Sequence, residues 1–320
     1  MIRPTRRGLL AAGLAFPAIA RAQGGDVLRI VSPNPPGGAI DGLARMMADA
    51  APRHGLGSAI VDTRPGAGGN IGAALAARAA PDGKTVLLAL DTVFTVNPHV
   101  YRDLGFDPAA LEPVAFAGTF SVALLVHPST GITTLAGFAE AARQRPLLYV
   151  SAGNGSPGHL AMSVLGLQLG LPAGALEHVP FRGAAPATAE LVAGRAQAGF
   201  ITTSAAPGLI ADGRVRALAV SGPEPLAGLP GVVPVAAQGH PGFDVRFAHL
   251  LMAPRGLPPA SAARLLEMTR DVLADPAAQS RFAAWGIVPE VGDAATAAAW
   301  IAARRIRWAE VVQGANMRAE

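Results

Sequence analysis

The sequence predicts an α/β protein whose sheets are largely parallel. Short apolar runs, typical of strands, alternate with alanine-rich helical patterns along most of the chain. Glycine-rich or hydroxyl-rich turns follow several of these runs, as they do in strand–helix units. With 51% hydrophobic and 15% charged residues among 320, the chain is long and apolar enough for one large or two ordinary domains.

The predicted strands are short, and helices lie between them. The strand segments are 27–31, 59–62, 85–90, 122–126, 147–151, 177–180, 198–202, 215–221 and 245–253. The helical patterns cover 39–51, 69–79, 134–143, 157–169 and 186–193. After Pro254 the pattern turns helical, with segments at 258–275, 277–285 and 293–313, so a helical tail is expected.

The first 22 residues predict a cleavable signal peptide. Arg3, Arg6 and Arg7 precede an apolar stretch at 8–20, and Ala20-Arg21-Ala22 fits a signal-peptidase site. The apolar stretch is too short for a permanent anchor. The paired arginines leave ordinary secretion and twin-arginine export both open, and either route predicts an exported protein.

Charge and cysteine content exclude several classes of function. The whole chain has 26 basic and 22 acidic side chains, and the leader holds four arginines and no acid, so 22 of each remain and the exported chain is neutral. This balance gives no support for nucleic-acid binding. The absence of cysteine excludes disulfides, thiolate catalysis and thiolate metal sites. No later apolar run is long enough for a membrane helix, so we expect a soluble protein.

Four turns after predicted strands are candidates for ligand binding. In an open α/β sheet, ligands bind beyond the carboxyl ends of the strands, where helix N-termini present unpaired N–H groups and favour anions. Glycines let the backbone approach a ligand, and Ser or Asn side chains add hydrogen bonds. The turns lie at 35–41, 63–83, 151–166 and 202–208.

Most residues in these turns also have a structural interpretation. Gly37 and Gly38 can simply form a tight turn, and Asp41 suits the first turn of any helix. Ser156 before proline fits an ordinary N-cap, and His159 fits a packed or capping histidine. It is the coincidence of several such turns that indicates an anion site.

Catalytic patterns are weak. The seven histidines lack metal-ligand spacing, and the glycines around Ser156 are misplaced for a nucleophile elbow, so a secreted hydrolase has little support. The segment at 66–72 nearly matches a dinucleotide fingerprint, after a strand and before a helix. It supports the alternative interpretation, an exported NAD(P)-dependent oxidoreductase.

Several motifs resemble one family. They are Pro-Gly-Gly-x-x-Asp at 36–41, Arg-Pro-Gly-Ala-Gly-Gly-Asn-Ile-Gly at 64–72, Pro-Asp-Gly at 81–83, Asn-Pro-x-x-Tyr at 97–101, Ser-x-Gly-x-Gly-Ser-x-x-His-Leu at 151–160 and Val-Pro-Phe-Arg-Gly-x-x-Pro at 179–186. Together they closely resemble the extracytoplasmic solute receptors of tripartite tricarboxylate transporters, the Bug-type family, from about residue 27 to the C-terminus. Asn34 and Asp91 depart from the family pattern.

The resemblance implies a two-lobed periplasmic-binding-protein fold of the Venus flytrap, type II-like, kind. Lobe 1 would combine 23–122 with 248–320, and lobe 2 would cover 123–247, with strands near 122–126 and 245–253 crossing the hinge. It implies a monomeric periplasmic receptor, not an enzyme, that needs no cofactor or metal. Such a receptor captures a small organic carboxylate (a di- or tricarboxylate, an amino acid or an aromatic acid) by lobe closure and delivers it to a membrane permease.

The site residues follow from the motifs and the nearby turns. Glycines of the first turn and Ser156, with neighbouring N–H groups, would hold a carboxylate, and hydroxyl groups would reach its far end. Asp91 would face away, pair with an amine, or mark a zwitterionic or neutral ligand. The predicted site residues are Gly37, Gly38, Asp41, Thr92, Ser151, Asn154, Gly155, Ser156, His159, Arg182, Thr203 and Ser204.

Overall fold

Eleven strands form two separate mixed sheets in the part of the chain that the computed structural model describes, residues 27–318. The predicted signal peptide lies outside these residues. The strands are β1 (Val27–Ser32), β2 (Ser58–Thr63), β3 (Thr85–Leu90), β4 (Leu111–Phe120), β5 (Val122–Val126), β6 (Leu147–Ser151), β7 (Leu176–Pro180), β8 (Ala198–Thr202), β9 (Arg216–Val220), β10 (Phe247–Pro254) and β11 (Ile287–Gly292).

The first sheet has six strands in the order β11-β4-β10-β3-β1-β2. Strands β2, β1 and β3 are parallel, as strand–helix units require, whereas β10 and β4 join antiparallel to their neighbours. Strand β11 pairs antiparallel with β4 at the edge, so the predicted helical tail also contains a strand. The expectation of largely parallel sheets was wrong, because β5 and β10 enter from the other sheet without a crossover helix and β11 pairs antiparallel at the edge.

The second sheet has five strands in the order β7-β6-β8-β5-β9. Strands β7, β6 and β8 are parallel, and β5 is antiparallel to both β8 and β9. Ser121 alone separates β4 from β5, so the chain passes from one sheet to the other within a residue. The Ser221 hydroxyl accepts from Val122 N at 3.0 Å and donates to Val245 O at 2.7 Å, which ties this crossing to the return crossing.

Helices cover both sheets and place their first turns beside strand ends. They are α1 (Ala39–Ala50), α2 (Asn70–Ala77), α3 (Thr92–Thr95), α4 (Asn97–Val100), α5 (Leu135–Gln144), α6 (Pro157–Gln168), α7 (Ala184–Val192), α8 (Ala206–Ala211), α9 (Pro259–Ala274), α10 (Gln279–Trp285) and α11 (Ala294–Gly314). Among the described residues, no helix is both long and apolar enough to cross a bilayer.

The last helix joins the two halves. Trp300 packs on Phe116 of the first sheet at a ring-centroid distance of 5.3 Å, and Trp308 stacks on Phe247 at 5.7 Å. Trp308 is fully buried, and α11 also packs against α6 beside the second sheet. The tail therefore contacts structure on both sides of the crossing, and the lobe limits given above stay a prediction.

Candidate functional site

A cavity of about 1410 Å³ opens where turns from both sheets meet. Its lining includes the segments 33–40, 65–69, 152–158, 181–186 and 200–202. The first two segments follow strands of the first sheet, and the other three follow or end strands of the second. The strand ends thus bring together the turns that the sequence singled out.

The first glycine turn leaves open space in front of α1. Gly37 has a φ of +88°, and its N–H donates to Asp41 Oδ2 at 3.0 Å, to which Arg45 Nε also donates at 3.1 Å. A Cβ added to Gly37 or Gly38 would meet no atom within 4 Å. Asp41 is buried and does not line the cavity. Its hydrogen bond with Gly37 N therefore stabilises the turn from the side away from the cavity.

Ser156 occupies the N-cap position of α6, but its side chain does not cap the helix. Its Oγ is buried without a hydrogen-bond partner in the protein, and the residue lines the cavity. A buried hydroxyl in that condition costs about 1–3 kcal/mol unless a ligand or water reaches it. Asn154 and Gly155 line the cavity beside it.

Two stacked histidines, His159 and His178, make hydrogen bonds to the turn at 151–156. The His159 Nδ1 accepts a hydrogen bond from Gly155 N at 3.2 Å, and Ser151 Oγ contacts His178 Nε2 at 2.7 Å. The two imidazoles stack at 3.8 Å, and His178 also stacks on Tyr149 at 4.9 Å. Burial lowers the pKa of His159 to about 3 and that of His178 to about 4, so both rings are neutral and His159 can accept. Neither His159 nor Ser151 lines the cavity.

The other predicted site residues, which carry hydroxyl or guanidinium groups, also include some that line the cavity and one that does not. Thr92 and the exposed Ser204 and Arg182 line the cavity. Thr203 does not, because its hydroxyl is buried and donates to Trp285 O at 3.4 Å. Eight of the predicted residues therefore line one cavity and four lie behind it; their contacts with a ligand stay a prediction. The eight are Gly37, Gly38, Thr92, Asn154, Gly155, Ser156, Arg182 and Ser204, and the four are Asp41, Ser151, His159 and Thr203.

Several lining residues carried no sequence signal. These are apolar or aromatic side chains at strand and helix ends, and the fold alone brings them to the cavity. Trp285, at the end of α10, is an example: a Cβ at Gly42 of α1 would overlap its ring, so Gly42 makes room for it. Other members of this wall are Leu90, Phe120, Val122, Phe200 and His249.

Asp91 faces away from the cavity. Its Oδ2 accepts from Trp300 Nε1 at 2.6 Å and its Oδ1 from Ala248 N at 3.1 Å, and the side chain is fully buried. Burial raises the pKa of Asp91 to about 6 despite these hydrogen bonds. Of the three interpretations of this departure, the structure supports the first. Asp91 joins β3, β10 and α11.

The glycine-rich segment that nearly matched a dinucleotide fingerprint is filled by the protein itself. Added Cβ atoms would lie 2.8 Å from the Tyr101 hydroxyl at Gly68 and 2.8 Å from a Val93 methyl at Gly69. Asn97 Nδ2 also donates to Gly68 O at 3.0 Å. These glycines line the cavity, but neighbouring side chains take the space beside them, which removes the geometric argument for a phosphate cradle.

Helix starts around the cavity share a feature. Three helices of eight or more residues, α1, α6 and α7, begin at lining residues, and none has a side-chain hydrogen bond at its N-cap. Helix α2 follows the lining residue Gly69, but it continues a short 3-10 turn, and Asn70 N already donates to Ala67 O. Of the other long helices away from the cavity, Thr134 caps α5 and Asp293 caps α11, whereas α9 begins after Pro258 without a side-chain cap. First-turn N–H groups that no cap satisfies bind anions well. No group of three or more His, Asp or Glu in residues 27–318 is arranged to hold a metal ion.

Known proteins share this architecture. The family model of the tripartite tricarboxylate transporter family receptor matches residues 43–317. The chain is 34% identical to a UPF0065 protein of Pseudomonas sp. (strain P51), over 77% of this chain and 73% of that protein. It is 29% identical to the protein BugT of Bordetella pertussis, over 94% and 93%.

Solved structures agree over nearly the whole length. R. palustris Rpa4515 with adipate is 29% identical, with a TM-score of 0.83 over 91% of this chain and 97% of that one. The periplasmic binding protein BugD is 27% identical, with a TM-score of 0.80 over 92% and 99%. MatC from Rhodopseudomonas palustris with bound malate is 25% identical, with a TM-score of 0.78 over 89% and 98%.

These likenesses confirm the predicted two-lobed fold of periplasmic binding proteins and the predicted family. The family consists of solute-binding receptors, and the chain belongs to it: it is a member of the tripartite tricarboxylate transporter receptor family, to which the Bug proteins belong.

Proposed function

We propose that this chain is a periplasmic receptor that captures a small organic carboxylate and delivers it to a membrane permease. The observation that carries the proposal is the convergence of three uncapped helix starts, those of α1, α6 and α7, on one cavity. Two relatives of known structure support the ligand class, since one is described with adipate and another with malate.

The carboxylate is held by donors from both sheets. N–H groups in the first turn of α1, behind the open Gly37-Gly38 segment, take one side, and the Ser156 hydroxyl with the α6 start takes the other. These donors come from different lobes, so both can engage one ligand fully only when the lobes approach. The ligand therefore favours the closed form through its extra contacts there.

The hinge lies at the two chain crossings. The lobes comprise residues 23–122 with 248–320, and residues 123–247. Ser121 and the segment before Phe247 connect them, held in register by Ser221. Closure changes the shape of the surface that a permease meets, and this difference allows the permease to distinguish loaded from empty receptor.

The proposed role needs no catalysis and no cofactor. The first 22 residues direct export to the periplasm, where the mature chain works as a monomer. The oxidoreductase alternative has lost its geometric support, because its glycine segment is filled by Asn97, Tyr101 and Val93.

Thermal unfolding of residues 23–320 against organic acids tests the proposal. A ligand at a hundred times its Kd adds about 2.7 kcal/mol to the free energy of unfolding. For a protein of this size we expect the midpoint to rise by roughly 5–10 °C with the cognate carboxylate class. NAD is the control. A rise with NAD and with no carboxylate would overturn the receptor function.

A further inference from the structure

The walls of the cavity define the ligand more narrowly than its anion-binding turns do. Resting on the proposed receptor function, we infer that the ligand is a carboxylate with an apolar body and without an amino group. Two independent features of the lining point to this class: the signs of its charges and the side chains between its polar ends.

The cavity offers no carboxylate to pair with an ammonium group. No Asp or Glu occurs among its lining residues, and its formal charges are those of Arg182 and Arg214, both exposed. The imidazole of His249, another lining residue, is buried and uncharged, because burial lowers its pKa to about 4. The local charge therefore favours anions and opposes cations.

The two buried carboxylates of the described chain are already engaged elsewhere. Asp41 Oδ2 accepts from Gly37 N and Arg45 Nε, while its buried Oδ1 has no hydrogen-bond partner in the protein. Asp91 accepts with both oxygens, from Ala248 N and Trp300 Nε1. Neither lines the cavity. A zwitterionic amino acid would have to bury its ammonium group among helix starts whose dipoles also repel positive charge.

Between the polar turns the walls are apolar. Phe200 and Val122 are almost fully buried side chains from the second sheet that line the cavity, and Leu90 and Phe120 come from the first. Trp285 completes this side. Such walls reward a ligand for methylene or aryl groups, by about fourfold in affinity for each methylene that is fully buried. They give no hydrogen bonds to the additional carboxylates of a short, highly charged acid.

Pairs of acids that differ only in an α-amino group measure the effect of that group on affinity. L-Phenylalanine is 3-phenylpropanoate with an α-amino group, and L-2-aminoadipate stands in the same relation to adipate. We would titrate residues 23–320 with all four acids by calorimetry at pH 7, together with succinate and citrate. We expect an amine-free acid to bind, and its amino counterpart to bind at least about 30-fold more weakly. We expect adipate to bind more tightly than succinate, its analogue shorter by two methylenes.

The other possible outcomes test the ligand class and the receptor function separately. An amino acid that binds as tightly as its amine-free counterpart would overturn the inference and leave the receptor function intact. Binding of succinate or citrate but none of the four longer acids would overturn the apolar-body part alone. If none of these acids binds and no carboxylate in the thermal panel raises the unfolding midpoint, the receptor function itself fails.

Discussion

Two glycine-rich turns of this protein have similar compositions and opposite surroundings. At Gly37 and Gly38, an added Cβ would meet nothing within 4 Å, and the space in front is the cavity. At Gly66, Gly68 and Gly69, an added Cβ would lie within 3 Å of the protein's own side chains. Glycine is needed in the first turn to leave room for something else and in the second to let the chain pack on itself. Both turns line the cavity, but only the first leaves open space at its glycines.

The largest effect is expected from Gly69→Ala in the crowded turn. Gly69 has a φ of +100°, and its added methyl would lie 2.8 Å from the Val93 Cγ2. Backbone strain and overpacking together should lower the free energy of unfolding by about 2–5 kcal/mol. Urea denaturation measures this change in the free energy of unfolding.

Gly105→Ala is the control for Gly69→Ala. Gly105 also has positive φ, +72°, but nothing lies within 4 Å of its added Cβ. Strain alone should cost about 1–2 kcal/mol there. Equal losses in the two variants would show that packing around Gly69 contributes nothing.

Gly38→Ala is expected to separate binding from folding. Gly38 has φ −88° and ψ 176°, a conformation that alanine adopts without strain, and its methyl would project into open space. The unfolding midpoint should stay the same or rise slightly. Affinity for the cognate carboxylate should fall by roughly 10–100-fold, because the methyl occupies the approach to the α1 N–H groups. Unchanged calorimetric affinity would remove this turn from the site.

The strand–helix order was predictable from the sequence, whereas the purpose of each glycine was not. Strands β1, β3 and β5 coincide closely with the predicted segments, because each is a short apolar run bounded by turns. Strands β4 and β11 were both missed: β4 contains Pro113 and Gly118, which weaken a strand pattern, and four of the six residues of β11 are exposed. The place of β11 is fixed by pairing with β4, which is far away in the sequence.

The site was predictable at its turns and not at its walls. Turn residues such as Gly38 and Ser156 stand beside helix starts, which local patterns mark. Phe120, Phe200 and Trp285 look like ordinary core residues in sequence, and only the meeting of two sheets exposes them to one cavity. Asp41 and His159 lie next to the turns but act behind them, since their partners are backbone N–H groups.

Ser156→Ala extends the comparison from glycines to helix starts. The Ser156 Oγ makes no hydrogen bond in the protein, so its loss should leave the unfolding midpoint nearly unchanged. Affinity for the carboxylate should fall by about 1–3 kcal/mol through an unpaired carboxylate oxygen.

Thr134→Ala is the matched control at a capped helix. The Thr134 hydroxyl accepts from Gly137 N at 3.0 Å, far from the cavity lining. Its loss should cost about 1 kcal/mol of stability and leave affinity unchanged. If Ser156→Ala instead behaves like Thr134→Ala, then Ser156 is an ordinary cap.

The turn at Gly155 is neither open nor crowded in the sense above, because its N–H donates to the uncharged imidazole of His159. Its stability should therefore depend on pH. The pKa values of His159 and His178 lie near 3 and 4 in the folded protein, below 6.5 in the unfolded chain. As pH falls from 6.5 towards 4, the unfolded chain takes up protons that the folded protein does not, so stability falls. Each histidine adds a slope of at most about 1.4 kcal/mol per pH unit. The buried His249, with a pKa near 4, acts in the same direction.

Asp91 opposes this trend. Its folded pKa of about 6 lies above the unfolded 3.8, so its contribution is fully present below pH 3.8 and is lost as pH rises through 6. As pH falls, three histidines lower the stability and one aspartate raises it. We therefore expect the unfolding midpoint to drop between pH 6.5 and pH 4.5. His178→Gln should make that drop shallower, because one titrating ring is removed and its amide can still meet Ser151. The same pH profile in this variant and in the unsubstituted protein would show that the folded-state pKa of His178 is not lowered.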